Sequence, residues 1–390
     1  SIDTILEMGK YRLSGKVKAL IVTGCLAQRY REEILKEIPE VDAVLGTASY
    51  DDILEAVEKT LKGEKYLSFR PTDRLVDTGG GRIITTGGAY EYLRIAEGCA
   101  KHCTYCVIPK VRGGYRSIPM ERLLDTARQM VGEGVKELIV IAQETTLYGT
   151  DLYGKKSLHI LLEKLCRIEG LVWIRLLYCY PEEIYPELVD TIARESKICH
   201  YLDLPIQHCS DSILKRMGRK TTKADLERII TEIRERIPDM VIRTTLITGF
   251  PGETKEDHEE LMQFVADMAF DRLGVFTYSP EEDTPAAAME NQVPEEVKEQ
   301  RKAELMELQQ DISLELDQER IGEELLVFVE GKVADENAYV GRTYADAPGI
   351  DGYIFVNTGE SLMTGDFVRV KVTGALEYDL IGEIADEYTE

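Results

Sequence analysis

Short apolar runs separated by amphipathic helical stretches fill the central part of the chain. The runs lie near residues 91–96, 136–142, 172–177, 201–204, 240–247 and 272–278. Strands that are joined through helices pair in parallel within one sheet. Because these strands are short and numerous, the pattern predicts an α/β fold with a partial (β/α)6 barrel over 91–293 rather than a flat doubly wound sheet. Its site should lie at the carboxyl ends of the strands.

The first 64 residues predict a helix, strand, helix, strand, helix order, with strands at 18–22 and 43–45. Cys25 directly follows the first strand and begins a helix predicted from about Leu26 to Ile38, at the sheet edge where open α/β folds keep their sites. No methionine opens the chain and the first strand needs partners, so we expect 1–64 to be the remnant of an amino-terminal α/β domain. The glycines at 79–81 and 87–88 make 65–90 a predicted linker.

The last hundred residues follow two further patterns. Residues 294–321 predict a charged connecting helix with one apolar stripe, formed by Val297, Leu305, Leu308, Ile312 and Leu316. Short alternating strands follow near 325–333, 338–343, 352–356, 367–373 and 379–385. They predict a small antiparallel β-barrel over 322–390.

Charge and composition limit the classes of function. The chain holds 47 Lys and Arg against 71 Asp and Glu, a net charge of −24, which repels a phosphate backbone and argues against stable nucleic-acid binding. Residues 322–390 contain fifteen acidic and four basic side chains. A basic partner complements them, although an ordinary acidic surface explains the count equally well. No apolar run approaches the roughly 20 residues that cross a bilayer, and no signal segment opens the chain, so we expect a cytoplasmic protein without a membrane partner.

Three cysteines, Cys99, Cys103 and Cys106, form a Cys-x3-Cys-x2-Cys loop after the first barrel strand. Three thiolates can hold three irons of a [4Fe-4S] cluster and leave the fourth iron open to a substrate. A zinc site would need a fourth Cys or His at short spacing. In a reducing compartment the remaining cysteines are thiols. Those that stand alone are predicted to be ordinary buried residues, namely Cys166, Cys179, Cys199 and Cys209.

The cysteine spacing, with Tyr105 before the last cysteine, resembles the radical S-adenosylmethionine (SAM) superfamily. In that superfamily SAM chelates the open iron. An electron from the cluster then cleaves SAM, which yields a 5′-deoxyadenosyl radical. Tyr105 would then pack near the adenine, or else it anchors the loop. After the second strand, Gln143 and Glu144 offer an amide and a carboxylate to the SAM ammonium, or else form a helix-capping turn.

Two further strand ends carry candidate SAM contacts. Gln207 and Ser210, after the fourth strand, could bind ribose hydroxyls, and a polar loop is the alternative. Ile247, Gly249 and Glu253 follow the fifth strand, where glycine permits close approach of the backbone to a flat ring. The alternative there is a tight strand-to-helix turn.

From about Leu20 to Glu383 the chain resembles the radical SAM methylthiotransferase family, and most closely the branch that modifies an aspartate of small-subunit ribosomal protein S-twelve. The matching stretches are 22–30 (VTGCLAQRY), 99–113, 141–149 (IAQETTLYG), 173–178 (WIRLLY), 216–219 (RMGR), 249–253 (GFPGE), 274–279 (GVFTYS), 347–352 (APGIDG) and 378–380 (YDL).

The resemblance implies a substrate-binding TRAM barrel at the end and a second [4Fe-4S] cluster held by three cysteines of the amino-terminal domain. Of those three, only Cys25 stands in this sequence, and the other two would precede Ser1. One SAM molecule would methylate sulfur on that cluster. The second would yield the radical that removes a hydrogen from the aspartate β-carbon, which then takes up the methylthio group. A reductant such as flavodoxin or ferredoxin and a sulfur donor are implied as partners.

Two other functions stay open at this point. A tRNA adenosine methylthiotransferase of the same family would need a basic surface on 322–390, and the charge count disfavours it. An iron–sulfur electron carrier would need a fourth ligand near the cluster and no SAM pocket. The hypothesis of a purely structural metal-binding domain has less support than these two, because a structural metal site does not require a barrel of this size.

Overall fold

The computed structural model describes residues 1–75 and 86–385, which form two compact units. The first unit comprises 1–75, 97–102 and 106–118, and the second comprises 86–96, 103–105 and 119–385. The predicted glycines at 79–81 lie outside the described residues. Within the described ranges no helix is long and apolar enough to cross a membrane.

The first unit is built on a three-stranded parallel sheet in the order β1-β2-β3. Its elements up to the gap are α1 (Ile2–Leu13), β1 (Ile21–Thr23), α2 (Cys25–Tyr30), α3 (Glu32–Glu37), β2 (Ala43–Leu45), α4 (Ile53–Leu61) and β3 (Tyr66–Ser68). Two predictions are corrected here. The helix expected from Leu26 to Ile38 is interrupted at Arg31, whose φ is +43°. The predicted linker 65–90 begins with a strand, because β3 pairs with the buried strand β2.

The second unit contains the predicted six-stranded parallel sheet, in the order β11-β10-β9-β8-β7-β4. Its strands are β4 (Tyr90–Arg94), β7 (Glu137–Ile141), β8 (Trp173–Leu176), β9 (Ile198–Asp203), β10 (Val241–Thr248) and β11 (Arg272–Thr277). Two short strands, β5 (Ala96–Glu97) and β6 (Arg116–Ser117), and the helix α5 (Ile108–Arg112) stand between β4 and the next barrel helix along the chain. All six predicted strands are confirmed.

Helices connect these strands, as the alternating pattern predicts. They are α6 (Met120–Gly132), α7 (Thr150–Tyr153), α8 (Leu158–Cys166), α9 (Pro186–Arg194), α10 (Asp211–Met217), α11 (Lys223–Arg236) and α12 (Lys255–Met268). The last two begin at capping boxes, in which Thr222 pairs with Asp225 and Thr254 with Asp257.

A closed five-stranded barrel follows, in the order β12-β13-β14-β16-β15. Its strands are β12 (Glu324–Lys332), β13 (Ala338–Arg342), β14 (Ile354–Asn357), β15 (Phe367–Ala375) and β16 (Leu380–Ile384). The small barrel is confirmed, with one correction: β14 and β16 pair in parallel, whereas all other neighbours are antiparallel.

The connecting helix α13 (Glu295–Glu319) is confirmed, but its buried face is not the predicted apolar stripe. The residues it buries are Lys298, Arg301, Leu305, Gln309, Ser313 and Asp317. Val297, Leu308, Ile312 and Leu316 flank this face and are only half-buried. The polar side chains turn inward because they serve backbone carbonyls around the edge strand β11: Gln309 donates to Phe270 and Ser313 to Asp271.

The loop between β13 and β14 joins the small barrel to the base of the parallel sheet. Ala345 and Ala347 pack in one apolar core with Trp173 and Tyr201 of the sheet strands. Arg175 donates to the Thr343 and Tyr344 carbonyls, and it shares Glu137 with Arg342. Glu137, Arg175 and Arg342 are all fully buried, so each charge needs the others as partners.

Candidate functional site

Glycines let the cysteine loop approach a neighbouring segment of the first unit. Gly98 has φ +77°, and a Cβ there would stand 2.2 Å from the Gly114 carbonyl oxygen. Only glycine allows both the conformation and the approach. The Cys99 N–H then donates to the Gly113 carbonyl oxygen at 3.2 Å. The Gly113-Gly114 pair after α5 therefore fixes where Cys99 lies.

Two of the three predicted ligand sulfurs accept backbone hydrogen bonds. The Lys101 N–H donates to Cys99 Sγ and the Ile108 N–H donates to Cys106 Sγ, each at 3.4 Å. Amide donors to sulfur stabilise thiolates and tune iron–sulfur clusters. These donors therefore suit Cys99 and Cys106 as thiolate ligands. Within the described residues, no three His, Cys, Asp or Glu side chains are gathered closely enough to hold a metal ion, so the ligand set stays a prediction.

The four single cysteines are buried thiols, as predicted. Burial raises the pKa of Cys166 to about 11 and that of Cys199 to about 12. Thiols with such pKa values are poor metal ligands and poor nucleophiles.

The middle of the cysteine loop belongs to the second unit. Thr104 donates its N–H to the Met217 carbonyl at 2.9 Å and its hydroxyl to the Arg216 carbonyl at 2.8 Å. The Tyr105 ring meets Phe250 edge to face, with centroids 6.3 Å apart. Cys103 Sγ lies 3.8 Å from the Tyr180 hydroxyl. Tyr105 therefore anchors the loop on an apolar cluster at the carboxyl ends of the strands, which was the alternative to an adenine contact.

Arg219 is a candidate that the sequence supplied only as part of a family match. Its guanidinium lies over the Tyr180 ring at 4.3 Å, and Nη2 donates to the Pro205 carbonyl at 3.1 Å and lies 3.5 Å from Glu182. The side chain is 1% exposed, yet its Nε and Nη1 atoms have no hydrogen-bond acceptor among the described residues. Buried donors without an acceptor are costly, so this position fits an anionic group of a bound cofactor. Burial of the guanidinium is what identifies Arg219 as a candidate, and the sequence motif 216–219 alone does not reveal that burial.

Glu144 and Gln143 lie in the turn after β7. Glu144 is fully buried, and its Oε1 atom accepts the Thr146 N–H at 3.0 Å as well as the Thr146 hydroxyl. Gln143 is half-buried. Glu144 therefore stabilises the turn itself. The turn is not a helix cap, because the next helix, α7, begins only at Thr150.

Gln207 and Ser210 are used differently by the loop after β9. Gln207, with φ +72°, donates its N–H to the Thr245 carbonyl and accepts the Ile247 N–H, so its backbone is fixed beside β10. The Ser210 hydroxyl donates to Asp257 at 2.6 Å. Its N–H donates to His208, whose burial lowers its pKa to about 3 and keeps it neutral. Ser210 thus serves the start of α12 in this structure, and the Gln207 side chain is half-buried.

Glu253 holds the strand-to-helix turn after β10. It accepts the Phe250 N–H at 3.1 Å and pairs with Arg301 of α13 at 2.8 Å. Burial raises the pKa of Glu253 despite that arginine. Gly249 has φ +68°, and a Cβ there would meet Lys298 at 2.2 Å. These contacts match the alternative of a tight strand-to-helix turn. Ile247 packs against the apolar cluster that contains Phe250.

Cys25 is the first residue of α2, as predicted. Arg112 of α5 donates through Nε to Cys25 Sγ at 3.1 Å and pairs through Nη1 with Glu97 at 3.0 Å. The first unit therefore places a guanidinium directly on this sulfur, next to the segment that bears Cys106.

Comparisons with known proteins match two separate regions of the chain. Residues 93–265 match the radical SAM superfamily and residues 321–385 match the TRAM domain. A protein of Lachnoclostridium phytofermentans named ribosomal protein uS12 methylthiotransferase RimO is 61% identical, over 98% of this chain and 87% of its own length. A Clostridium botulinum protein of the same name is 50% identical, over 100% and 87%. The solved cobalamin-dependent SAM radical enzyme OxsB has a TM-score of 0.48 at 13% identity, over 80% of this chain and 45% of OxsB. Strands β7 to β10 of the parallel sheet lie within the radical SAM match, and the closed barrel lies within the TRAM match.

Proposed function

Because this chain belongs to the family of ribosomal protein uS12 methylthiotransferases, which are radical SAM enzymes, we propose that it transfers a methylthio group to uS12. The observation that carries the proposal is the 61% identity over 98% of the chain to a relative of that name. The modified position would be the β-carbon of an aspartate.

A [4Fe-4S] cluster and SAM are the cofactors of this family. When bound, they supply a one-electron cleavage of SAM to a radical that removes a hydrogen atom from the target carbon. In this chain Cys99, Cys103 and Cys106 would hold the cluster, and the backbone donors to Cys99 and Cys106 support that assignment.

For SAM, we assign Arg219 to the carboxylate, because two of its buried donors have no acceptor among the described residues. Gln207 would reach a ribose hydroxyl, and Tyr105 keeps the loop in place through Phe250. Glu144, Ser210 and Glu253 would support the pocket walls through the hydrogen bonds they already make. Ile247 and Gly249 would form part of the same wall.

Cys25 would be one ligand of a second [4Fe-4S] cluster, from which the methylthio sulfur would come. Arg112 would stabilise its thiolate through the hydrogen bond at 3.1 Å. The reductant would be a small carrier such as flavodoxin or ferredoxin, with a separate sulfur donor. A ribosomal substrate places the reaction in the cytoplasm.

The acidic composition of 322–390 supports a basic ribosomal protein over tRNA as the substrate. Asp346 and Asp351 have buried side chains and pair within the molecule, whereas the exposed acidic side chains of 322–385 would face the partner.

The test is anaerobic reconstitution with iron and sulfide, then reduction and addition of SAM and uS12. We expect about four irons per chain at the three-cysteine site, 5′-deoxyadenosine, and a mass gain on uS12 of one methylthio group replacing one hydrogen. Cys103→Ala should lose all three signals. Cys166→Ala, which removes a buried thiol from α8, should keep them.

Each contrary result has a separate meaning. Deoxyadenosine formation by Cys103→Ala at the parent rate would contradict the ligand assignment. Iron without deoxyadenosine would favour the electron-carrier function, and modification of tRNA but not of uS12 would favour the adenosine branch.

A further inference from the structure

Tyr178, directly after β8, has a backbone conformation that is rare for an aromatic residue. Its φ is +59°, in the left-handed region. The residue is 46% exposed, whereas Leu177 and Cys179 on either side are 2% and 0% exposed. Its N–H donates to Asp203 Oδ2 and its carbonyl accepts the Thr145 N–H, each at 3.0 Å. Surrounding groups thus impose the conformation, as is typical of strained residues at functional sites.

The carboxylate that holds Tyr178 is itself held from the small barrel. Asp203 Oδ1 accepts a hydrogen bond from Arg243 Nη1 at 2.8 Å, and Arg243 Nε donates to Asp351 Oδ1 at 3.2 Å. Asp351 lies in the β13–β14 loop, and its second oxygen accepts the Tyr201 hydroxyl at 2.7 Å. The side chains of Asp203, Arg243 and Asp351 are only 5%, 15% and 3% exposed, so solvent screens these charges little.

Tyr178 follows the carboxyl end of β8 and is close in sequence to a residue that contacts the cysteine loop. Tyr180, two residues further on, places its hydroxyl 3.8 Å from Cys103 Sγ. An exposed aromatic ring at the carboxyl ends of the strands is suited to contact a bound partner.

We propose that Tyr178 contacts the target segment of the protein substrate, and that Asp351 is a positioning residue that holds Tyr178 in place through Arg243 and Asp203. The proposal rests on the proposed function, because it takes uS12 as the substrate. It gives the small barrel a part in the reaction that requires no contact between that barrel and uS12.

The test measures uS12 binding and SAM binding separately on the reconstituted chain. We expect Tyr178→Ala to weaken uS12 binding about tenfold, since aromatic residues dominate contact energies, and to leave SAM binding unchanged. Tyr178→Phe keeps the ring and should stay within about threefold. Asp351→Asn should raise the KM for uS12 several-fold with the KM for SAM unchanged.

Asp346→Asn is the matched control for Asp351→Asn. Asp346 lies in the same loop and pairs with Arg272 at 2.9 Å, and among the described residues no side-chain hydrogen bond or ion pair joins this pair to Asp351, Arg243 or Asp203. Its KM for uS12 should therefore not change, which separates positioning from a general loosening of the loop. Melting temperatures of all variants identify any that fail to fold, and Tyr178→Phe keeps the proposal testable if Tyr178→Ala is among them.

Unchanged uS12 binding by Tyr178→Ala would overturn the contact, and so would a loss confined to SAM. Equal effects of Asp351→Asn and Asp346→Asn would overturn the positioning role. If the parent chain binds SAM but not uS12, the proposed function itself fails, and this inference with it.

Discussion

At the scale of single residues, Arg219 shows how burial turns a motif residue into a candidate for cofactor binding. The guanidinium is fully desolvated over the Tyr180 ring, and the Pro205 carbonyl and Glu182 satisfy only Nη2. A planar fork of donors matches a carboxylate better than a lysine ammonium does. The remaining donors, Nε and Nη1, are therefore available to bind a carboxylate and do not link parts of the fold.

We predict that Arg219→Met weakens SAM binding about tenfold or more, because a hydrogen bond to a charged group contributes roughly 1.5–3 kcal/mol. Equilibrium binding of SAM to the reconstituted chain measures it. The matched control is Arg228→Met, since Arg228 is exposed and its ion pairs within the described residues are with Asp225 and Glu232 of its own helix. Equal affinities for the two variants would contradict the assignment.

At the scale of elements, α13 shows a helix that buries polar groups to serve a sheet edge. Gln309 is 1% exposed and donates to the Phe270 carbonyl at 2.7 Å and to Ser313 Oγ at 2.9 Å. Phe270 lies just before β11, the edge strand of the sheet, and within the described part of the chain no further strand pairs with its outer edge. The helix therefore takes the place of a missing neighbour.

Gln309→Leu should lower stability, because it leaves the buried Phe270 carbonyl without a donor, at a cost of about 1–3 kcal/mol. Gln310→Leu, at the adjacent exposed position, should cost little. Thermal unfolding should show a lower melting temperature for the first variant only, by roughly 2–6 °C. An equal drop in both variants would mean that α13 depends on its sequence propensity and not on this bond.

Helix α13 also shows which part of the structure could not be predicted from the sequence. Period-two and apolar runs located all six sheet strands and all five strands of the small barrel, because burial of one face decides them. The face of α13 was predicted wrongly, since its inward residues are polar and their partners are carbonyls distant in sequence. The cysteine motif was readable, whereas the pairing of Glu253 with Arg301 and of Ser210 with Asp257 depends on residues about fifty positions away.

At the scale of the whole molecule, three elements meet at one buried charge cluster. Arg272 at the start of β11 pairs with Asp346 of the β13–β14 loop at 2.9 Å and with Asp317 of α13 at 3.5 Å. Burial raises the pKa of Asp317 to about 6. Because the folded state binds this proton more tightly than the unfolded chain, the stability it contributes is present below pH about 4 and is lost as the pH rises through about 6.

Asp317→Asn should therefore reduce the loss of stability between pH 5 and pH 8. The shift of about two pKa units sets an upper bound of about 3 kcal/mol on that loss. Denaturant unfolding at both pH values measures the difference, with Asp311→Asn at an exposed position of the same helix as the control. A pH dependence that stays the same in Asp317→Asn would place the titrating group elsewhere.

The shared core beneath the parallel sheet also determines when the enzyme can finish folding. Trp173, Arg175 and Tyr201 have their final partners on the β13–β14 loop, more than 140 residues later in the chain. During synthesis these side chains leave the ribosome long before that loop exists. A nascent chain therefore carries an exposed aromatic surface and an incompletely paired Arg175–Glu137 pair until residues 343–351 have emerged. Chaperone dependence and sensitivity to premature termination should follow from that delay.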